Sequence, residues 1–291
     1  MKANSMCISC ILSRQEKKIR SFEDEQKKSE YMNQVLKILY ENGQTESAPW
    51  MAEKINRLYE KYWGPLEDYT DIKHEYNMLL LDKEADMEQK IKMADDPLVE
   101  CIKYVCAGNY IDFTGVENVN MNTFEELLKK AEEESVCEEE YQKFRDDLAS
   151  AKTLAYLTDN CGEIVLDKIF IRHIKEAYPD LNITVIVRGE NVINDATMTD
   201  AEEVGLTEMV TCIGNGNAAP STILNRLSDE AKRVLDDADV IISKGQGNFE
   251  GFCGEGYNPY FFFLCKCPLF LHRFKLPQFT SVFAKEERLM K

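Results

Sequence analysis

The sequence is poor in histidine, and it lacks a long apolar segment. Only three histidines occur in 291 residues, at His74, His173 and His272. They are dispersed and form no Ser-His-Asp pattern, and Cys161 has no evident basic partner. The longest apolar run, 260-YFFFLC-265, is too short to cross a bilayer. We therefore expect neither a serine-hydrolase triad nor a membrane-embedded protein.

Basic residues are also scarce relative to acidic ones. The chain has 35 Lys and Arg against 52 Asp and Glu, a formal net charge of -17, and the excess lies mainly in residues 1–150. Proteins that bind nucleic acid usually carry a basic surface. We therefore expect no nucleic-acid partner. An anionic ligand would need a metal ion or a few placed lysines.

The ten cysteines come without the apolar N-terminal segment of a secretory signal. This combination predicts reduced thiols and a cytoplasmic location. Cys7 and Cys10 form a CxxC pair, and Cys265 and Cys267 form a CxC pair. The four could bind zinc, but their spacing is not a standard zinc pattern, and packing in a helix and a strand is the alternative. The role of Cys7 and Cys10 stays open.

The sequence changes character near residue 150. Residues 1–150 show helical apolar spacing, and the acidic segment 123–144 is typical of a solvated helix. Residues 151–291 alternate helical patterns with β-branched runs, and Thr199 with Glu202 resembles a capping box. The runs are 153–158, 183–188, 209–214, 239–244 and 260–265. We predict an α/β fold in which a helical N-terminal region packs on a Rossmann-like α/β/α core with a mostly parallel sheet.

Polar residues follow these predicted strands. In open α/β sheets, ligands bind beyond the carboxyl ends of the strands. The residues there are Asp159, Asn160 and Glu163 after the first strand, Arg188 and 194-NDAT-197 after the second, 214-GNGNAAPST-222 after the third, Lys244 and 245-GQGNFEG-251 after the fourth, and Lys266 after the fifth. We predict a binding site at this edge. The GNGNAA segment follows the third strand, not the first, which argues against a dinucleotide fingerprint.

The residue types at this edge suit a divalent cation and a phosphate. The carboxylates of Asp159 and Asp195 and the amide oxygen of Asn160 are hard oxygen donors that fit Mg²⁺ or Mn²⁺. Lysines at neighbouring strand ends could hold phosphoryl oxygens, and Gly245 and Gly247 would let backbone N–H groups approach the same anion.

Each of these residues also has a structural interpretation. Asp159 could cap the following helix, and Asp195 could cap a turn. Lys244 could extend its stem along apolar surface with its amino group in water. The residues alone leave these alternatives open.

Several separated motifs resemble one family. They are 108-GNYIDF-113, 158-TDNCGE-163, 187-VRGENVINDAT-197 and 243-SKGQGNFEG-251, together with the CxxC pair and with Lys73 and Asn77 in 72-IKHEYN-77. With these motifs in order over nearly the whole chain, the sequence resembles the prokaryotic damage-control phosphatases, long catalogued as a domain of unknown function. Related members were also described as protein-glutamate methyltransferases. The chain departs from the family at Ser221, often glycine there, and in the tail 266–287.

The resemblance implies a metal-dependent phosphatase. It implies that Asp159, Asn160 and Asp195 bind the metal, which could be Mn, Ni, Co or Mg. It assigns catalytic roles to Asp159, Glu163, Asp195 and Lys244. It places substrate contacts at Arg188, Asn194, Lys244, Gln246, Asn248, Glu250, Lys266, Asn109 and Asp112.

We therefore expect hydrolysis of a phosphomonoester, such as a sugar phosphate or a damaged phosphometabolite. The attacking oxygen could come from a water molecule or from Asp159. One alternative is an S-adenosylmethionine-dependent carboxyl methyltransferase, although the acidic 158-TDNCGE-163 stands where a glycine-rich loop would be expected. The other is a non-catalytic phosphometabolite-binding module. The expected partner is a small phosphorylated metabolite, and the oligomeric state is not predicted.

Overall fold

The N-terminal half of the protein is helical, as predicted. The computed structural model describes residues 1–113, 116 and 119–290. Most of these helices begin where the sequence offers an N-cap, since Asn4, Asp24, Ser47, Asp96 and Asn120 accept hydrogen bonds from first-turn N–H groups. The helices are α1 Ser5–Ile19, α2 Glu25–Asn42, α3 Ala48–Trp63, α4 Thr70–Met93, α5 Pro97–Gly108, α6 Met121–Glu133 and α7 Glu138–Ser150.

The C-terminal half alternates strands and helices around one sheet. Its elements are β1 Thr153–Leu157, α8 Glu163–Ala177, β2 Asn182–Val187, α9 Met198–Glu203, β3 Thr211–Gly214, α10 Asp229–Asp236, β4 Val240–Lys244, α11 Gln246–Phe252, β5 Tyr260–Cys265, α12 Pro268–Phe274, β6 Thr280–Lys285 and α13 Glu286–Leu289. The strand order is β3-β2-β1-β4-β5-β6. Neighbouring strands are parallel except β6, which runs antiparallel to β5. The predicted α/β class and mostly parallel sheet are confirmed.

The main hydrophobic core joins the two halves of the chain. Phe144 of α7 packs its ring against Tyr260 and Phe262 of β5, with ring centroids 4.9 and 5.9 Å apart. The same core contains Leu80 of α4 and Phe170 of α8, both fully buried. Helices α4–α7 therefore pack on one face of the sheet, while α1–α3 form a separate apolar cluster with Ala219 and Ile223. The division into domains at residue 150 stays a prediction.

Three local expectations differ from the structure. The segment 123–144 forms two helices rather than one, because the chain is extended at Glu134 and Cys137. The capping box involves Thr197 and Asp200, not Thr199 and Glu202, since Thr197 is the last extended residue before α9. Strand β6 lies in the tail, where the sequence had suggested no element.

Within the described residues, no helix has the length and apolar character needed to span a bilayer.

Candidate functional site

The turn after β1 brings two predicted metal-binding segments together. The Asp159 carbonyl accepts a hydrogen bond from Ala196 N–H at 2.8 Å, and the Asn194 carbonyl accepts one from Cys161 N–H at 2.8 Å. Asn160 and Asp195 pair as an isolated antiparallel bridge. Since β1 and β2 are parallel neighbours, both segments leave the same edge of the sheet. Asp159, Asn160 and Asp195 are thus adjacent, as predicted.

Two buried amides fix how this turn presents its oxygens. The Nδ2 atom of Asn160 donates to Asp159 Oδ2 at 2.8 Å and to Glu163 Oε2 at 3.0 Å. The Nδ2 atom of Asn109, at the end of α5, donates to the same two oxygens at 2.8 and 3.1 Å. The Asn109 Oδ1 atom accepts from Leu264 N–H at 3.1 Å. The Asn160 Oδ1 atom accepts no hydrogen bond from any described residue, so it is the oxygen left for a ligand.

Lys244 lies between two buried carboxylates. Its Nζ atom is 2.6 Å from both Glu163 Oε1 and Asp167 Oδ1, and all three side chains are fully buried. Tyr156 also donates to Asp167 Oδ1 at 2.6 Å. Burial raises the pKa of Asp167 to about 6. Burial alone would lower the pKa of Lys244, but the carboxylates of Asp167 and Glu163 raise it by more. This lysine therefore stays protonated.

Arg188 connects Asp195 to Asp159. Its Nε atom donates to Asp195 Oδ2 at 2.6 Å, and its Nη2 atom lies 3.6 Å from Asp159 Oδ1. That Nη2 atom is buried and has no hydrogen-bond partner among the described residues. Burial raises the pKa of Asp159 well above its usual range, with repulsion from Glu163 and Asp195 added. Burial also raises the pKa of Asp195, and Arg188 partly offsets this rise.

Lys266 lies at the end of β5 and is paired as well. Its Nζ atom is 2.6 Å from Asp112 Oδ2 and donates to the Asn109 carbonyl at 2.7 Å. The Gln246 Oε1 atom accepts from Lys266 N–H at 3.0 Å and Cys267 N–H at 3.2 Å, which joins the ends of β4 and β5. The structure therefore places Asn109, Asp112, Gln246 and Lys266 in one connected cluster beside Asp159.

Two other predicted substrate contacts, Asn248 and Asn194, make internal hydrogen bonds, and a third, Glu250, is half-buried. The amide of Asn248 donates to the Thr158 and Lys244 carbonyls at 2.9 and 2.7 Å. The amide of Asn194 donates to the Ile111 carbonyl at 3.0 Å. Glu250 lies on α11, and burial raises its pKa to about 7. Asn248 and Asn194 hold the loops together in this structure, and substrate binding by all three stays a prediction.

The donor chemistry fits a hard divalent cation. Asp159 Oδ1, Asn160 Oδ1 and Asp195 Oδ1 accept no hydrogen bond from the described residues, while the second polar atom of each side chain is held by a neighbour. Among all the residues that the structure describes, no three His, Cys, Asp or Glu side chains are grouped closely enough to bind a metal by themselves. The site therefore depends on the amide oxygen of Asn160, which is a normal ligand for such ions.

The net charge of the site residues also favours a divalent cation. Fully ionised, the site carries two more negative than positive charges, and buried charge without compensation is costly. The carboxylates are Asp112, Asp159, Glu163, Asp167 and Asp195, and the cations are Arg188, Lys244 and Lys266. A divalent cation would balance them.

Sequence reasoning missed one buried residue of this network, Asp167, and did not predict the contacts of a second, Asn77. Asp167 follows Glu163 by four positions in α8, so helical spacing could have placed both on the face that meets Lys244. Asn77 of α4 contacts the turn after β1 across 85 residues of sequence. The motif drew attention to Asn77, but no local pattern indicated what it would contact.

The cysteine pairs show no ready metal site. Cys7 is buried in α1, Cys10 is exposed, Cys265 is buried in β5, and Cys267 is half-buried. They belong to no cluster of three metal-ligating side chains among the residues that the structure describes. Cys7 and Cys10 lie in α1 and Cys265 ends β5, as the helix and strand interpretation expected, whereas Cys267 follows the strand at the start of α12.

Comparison with known proteins finds similarity over nearly the whole chain. Residues 3–281 match the model of the damage-control phosphatase ARMT1-like domain. An Archaeoglobus fulgidus protein named a damage-control phosphatase is 30% identical over 92% of this chain and 93% of its own length. The damage-control phosphatase PH1575 of Pyrococcus horikoshii is 27% identical over 96% of each chain.

The fold is shared with a solved structure. The crystal structure of the Pyrococcus horikoshii protein, described as a DUF89 family protein, superposes with a TM-score of 0.78. It covers 98% of this chain and 99% of its own at 24% identity. The α/β architecture is thus common to both. This protein belongs to the damage-control phosphatase ARMT1-like family.

Proposed function

We propose that this protein is a metal-dependent phosphatase that hydrolyses phosphomonoesters, such as sugar phosphates or damaged phosphometabolites. The family and its named relatives support phosphatase activity. The observation that carries metal dependence is the set of three oxygens, on Asp159, Asn160 and Asp195, that accept no hydrogen bond from the described residues.

These three residues would hold the cation, which when bound would polarise the phosphoryl group. Asn109 and Glu163 orient the donors, since they hold Asp159 Oδ2 and the Asn160 amide. Lys244 in turn fixes Glu163. Both oxygens of Glu163 accept hydrogen bonds from these neighbours, so Glu163 would hold the groups in place around the cation.

Arg188 is the group best placed to meet a phosphoryl oxygen. Its buried Nη2 atom has no hydrogen-bond partner among the described residues and faces Asp159. An unmet buried donor is costly, and an anionic oxygen would satisfy it. Hydrolysis adds water across the P–O ester bond and releases inorganic phosphate and the alcohol. The Asp159 Oδ1 atom is available either as a metal ligand or as the attacking oxygen.

The test is phosphate release by chelator-stripped protein, with and without added Mn²⁺, Ni²⁺, Co²⁺ or Mg²⁺. The substrates are p-nitrophenyl phosphate and a panel of sugar phosphates. We expect a metal to restore turnover. Asp159→Ala and Asp195→Ala should each lower turnover and metal affinity by more than about 100-fold, because loss of a ligand exceeds the roughly 10–100-fold cost of losing an outer partner.

Asp236→Ala is the matched control, since this exposed carboxylate on α10 pairs with Lys232 far from the strand ends. It should leave turnover unchanged. Full metal-dependent turnover by folded Asp159→Ala or Asp195→Ala would refute the site. Sugar-phosphate binding by the wild-type protein without turnover at any metal would instead indicate a non-catalytic binding module.

A further inference from the structure

One face of α4 contacts both segments that carry the candidate metal ligands. Lys73 and Asn77 are spaced by four residues on this helix, so their side chains lie on the same side. Both are buried, with 5% and 0% of their surface exposed. Neither residue has a role in the proposed reaction itself.

Asn77 holds the turn after β1. Its Oδ1 atom accepts a hydrogen bond from Gly162 N–H at 2.6 Å. Gly162 lies between Asn160 and Glu163 and has a φ of +68°, which a residue with a side chain rarely adopts. A Cβ atom there would lie 3.3 Å from Tyr76 Cβ, so α4 packs closely on the turn. The position of this turn is thus set partly from α4.

The other end of the same amide reaches α9. The Nδ2 atom of Asn77 donates to Asp200 Oδ1 at 3.0 Å and to Glu203 Oε2 at 2.6 Å. The Asn77 amide cannot be reversed, because its oxygen would then face two carboxylates and its NH2 group would face an N–H donor. One side chain therefore joins the turn after β1 to α9.

Lys73 fixes the start of α9, which follows Asp195 within three residues. Its Nζ atom is 2.7 Å from Asp200 Oδ2. The same oxygen accepts from the backbone N–H and the hydroxyl of Thr197, both at 2.7 Å, which caps the helix. Thr197 is two residues after Asp195. The lysine therefore stabilises the end of the segment that bears this carboxylate.

We propose that Asn77 and Lys73 are positioning residues that set the spacing between the Asp159–Asn160 turn and the Asp195 segment, and so determine affinity for the divalent cation. This inference rests on the proposed function for the identity of the ligand. Neither residue touches the candidate metal donors. They act through Gly162 on one side and through Asp200 on the other.

The experiment compares Asn77→Ala, Asn77→Asp and the control Glu84→Gln in the full chain. Glu84 is also on α4, and it pairs with Lys168 and Arg172 of α8 away from the strand ends. Two quantities are measured: Mn²⁺ affinity by calorimetry, and hydrogen exchange of the peptide that contains Gly162. Circular dichroism establishes that each variant is folded.

Asn77→Ala should weaken Mn²⁺ binding by about 10–100-fold, as expected for an outer partner of a metal site. It should also speed exchange at Gly162 by about tenfold or more, because this N–H loses its acceptor. Asn77→Asp keeps an oxygen for Gly162, so it should restore slow exchange there while its added charge repels Asp200 and Glu203. Glu84→Gln should change neither quantity.

Wild-type exchange and wild-type Mn²⁺ affinity in folded Asn77→Ala would overturn the inference. So would equally fast exchange in Asn77→Asp and Asn77→Ala, since the retained oxygen would then have no effect. Failure of the proposed function has a different signature: the wild-type protein would lack metal-dependent turnover. The exchange at Gly162 still decides the positioning role in that case, because it is measured without metal.

Discussion

Gly245 lies so close to Asp159 that a side chain at this position would displace the carboxylate. Its φ is +83°, and a Cβ atom would lie 1.9 Å from Asp159 Oδ2. The sequence had suggested that its N–H would meet an anion. That N–H instead donates to the Phe262 carbonyl at 2.8 Å. The glycine is needed because it leaves room for Asp159.

Gly245→Ala should therefore abolish metal-dependent turnover. Gly254→Ala is the matched control, since Gly254 has a φ of +90° and a Cβ atom there would meet no described atom within 4 Å. Both variants should lose about 1–3 kcal/mol of unfolding free energy from the strained backbone, and the clash with Asp159 should add to the loss in Gly245→Ala. Only Gly245→Ala should lose turnover in addition. Urea unfolding and phosphate release measure the two effects, and wild-type turnover by Gly245→Ala would show that Asp159 tolerates displacement.

At the scale of elements, the pairing of β1 with β4 brings Asp159 and Lys244 to one edge. Leu154 pairs with Val240, and Leu157 pairs with Ser243. At the opposite edge, Asp239 Oδ2 accepts from Lys152 N–H at 2.8 Å, from Thr153 N–H at 3.0 Å and from the Thr153 hydroxyl at 3.0 Å. These bonds hold the starts of both strands and help to fix their register.

Hydrogen bonds lower the pKa of Asp239 below its usual value. The bond from the backbone N–H of Lys152 has the largest effect, and the bonds from the side chain and the N–H of Thr153 add to it. A carboxylate with a lowered folded pKa contributes stability above its unfolded pKa of about 3.9 and loses it as the pH falls through the folded value. Asp239→Ala should thus be less stable than the wild-type protein at pH 7, and the difference should shrink below about pH 3.9.

Urea unfolding at both pH values measures this difference. Turnover at pH 7 should be unchanged in Asp239→Ala, because the residue lies at the far edge of the sheet. A stability difference that stays constant with pH would mean that the charge of Asp239 does not contribute.

At the scale of the whole molecule, the proposed function requires a protein with a net charge of -17 to bind an anionic substrate. The three cationic side chains of the site, Arg188, Lys244 and Lys266, are not free to attract an anion. Lys244 pairs with Glu163 and Asp167, Lys266 with Asp112, and Arg188 with Asp195. Each cation is therefore already neutralised within the protein, so a bound metal ion would have to supply the attraction for phosphate.

Metal-stripped protein should accordingly bind inorganic phosphate at least about tenfold more weakly than Mn²⁺-loaded protein, since the difference reflects a loss of direct charge attraction. Calorimetry with phosphate as the titrant measures both affinities. Asp159→Ala in the presence of Mn²⁺ should behave like the stripped protein. Equal affinity with and without metal would show that Arg188 Nη2 or a lysine binds the anion without help from the metal.

Much of this site followed from sequence pattern. Parallel strands end at one edge of a sheet, so Asp159, Asn160 and Asp195 could be placed together from their positions after two β-branched runs. The α/β class followed in the same way from the alternation of runs and helical segments. The antiparallel β6 could not be predicted, because the tail resembles neither pattern clearly.

The sequence by itself determined which residue types stand at the strand ends, because strand and helix periodicity is local. Only the tertiary structure decided what those residues bond. The pairing of Lys244 with Asp167 spans 77 residues, and that of Asn77 with Gly162 spans 85. Such contacts depend on how helices pack on the sheet. The hydrogen bonds formed at these contacts then decide which oxygens are held and which are left for a ligand.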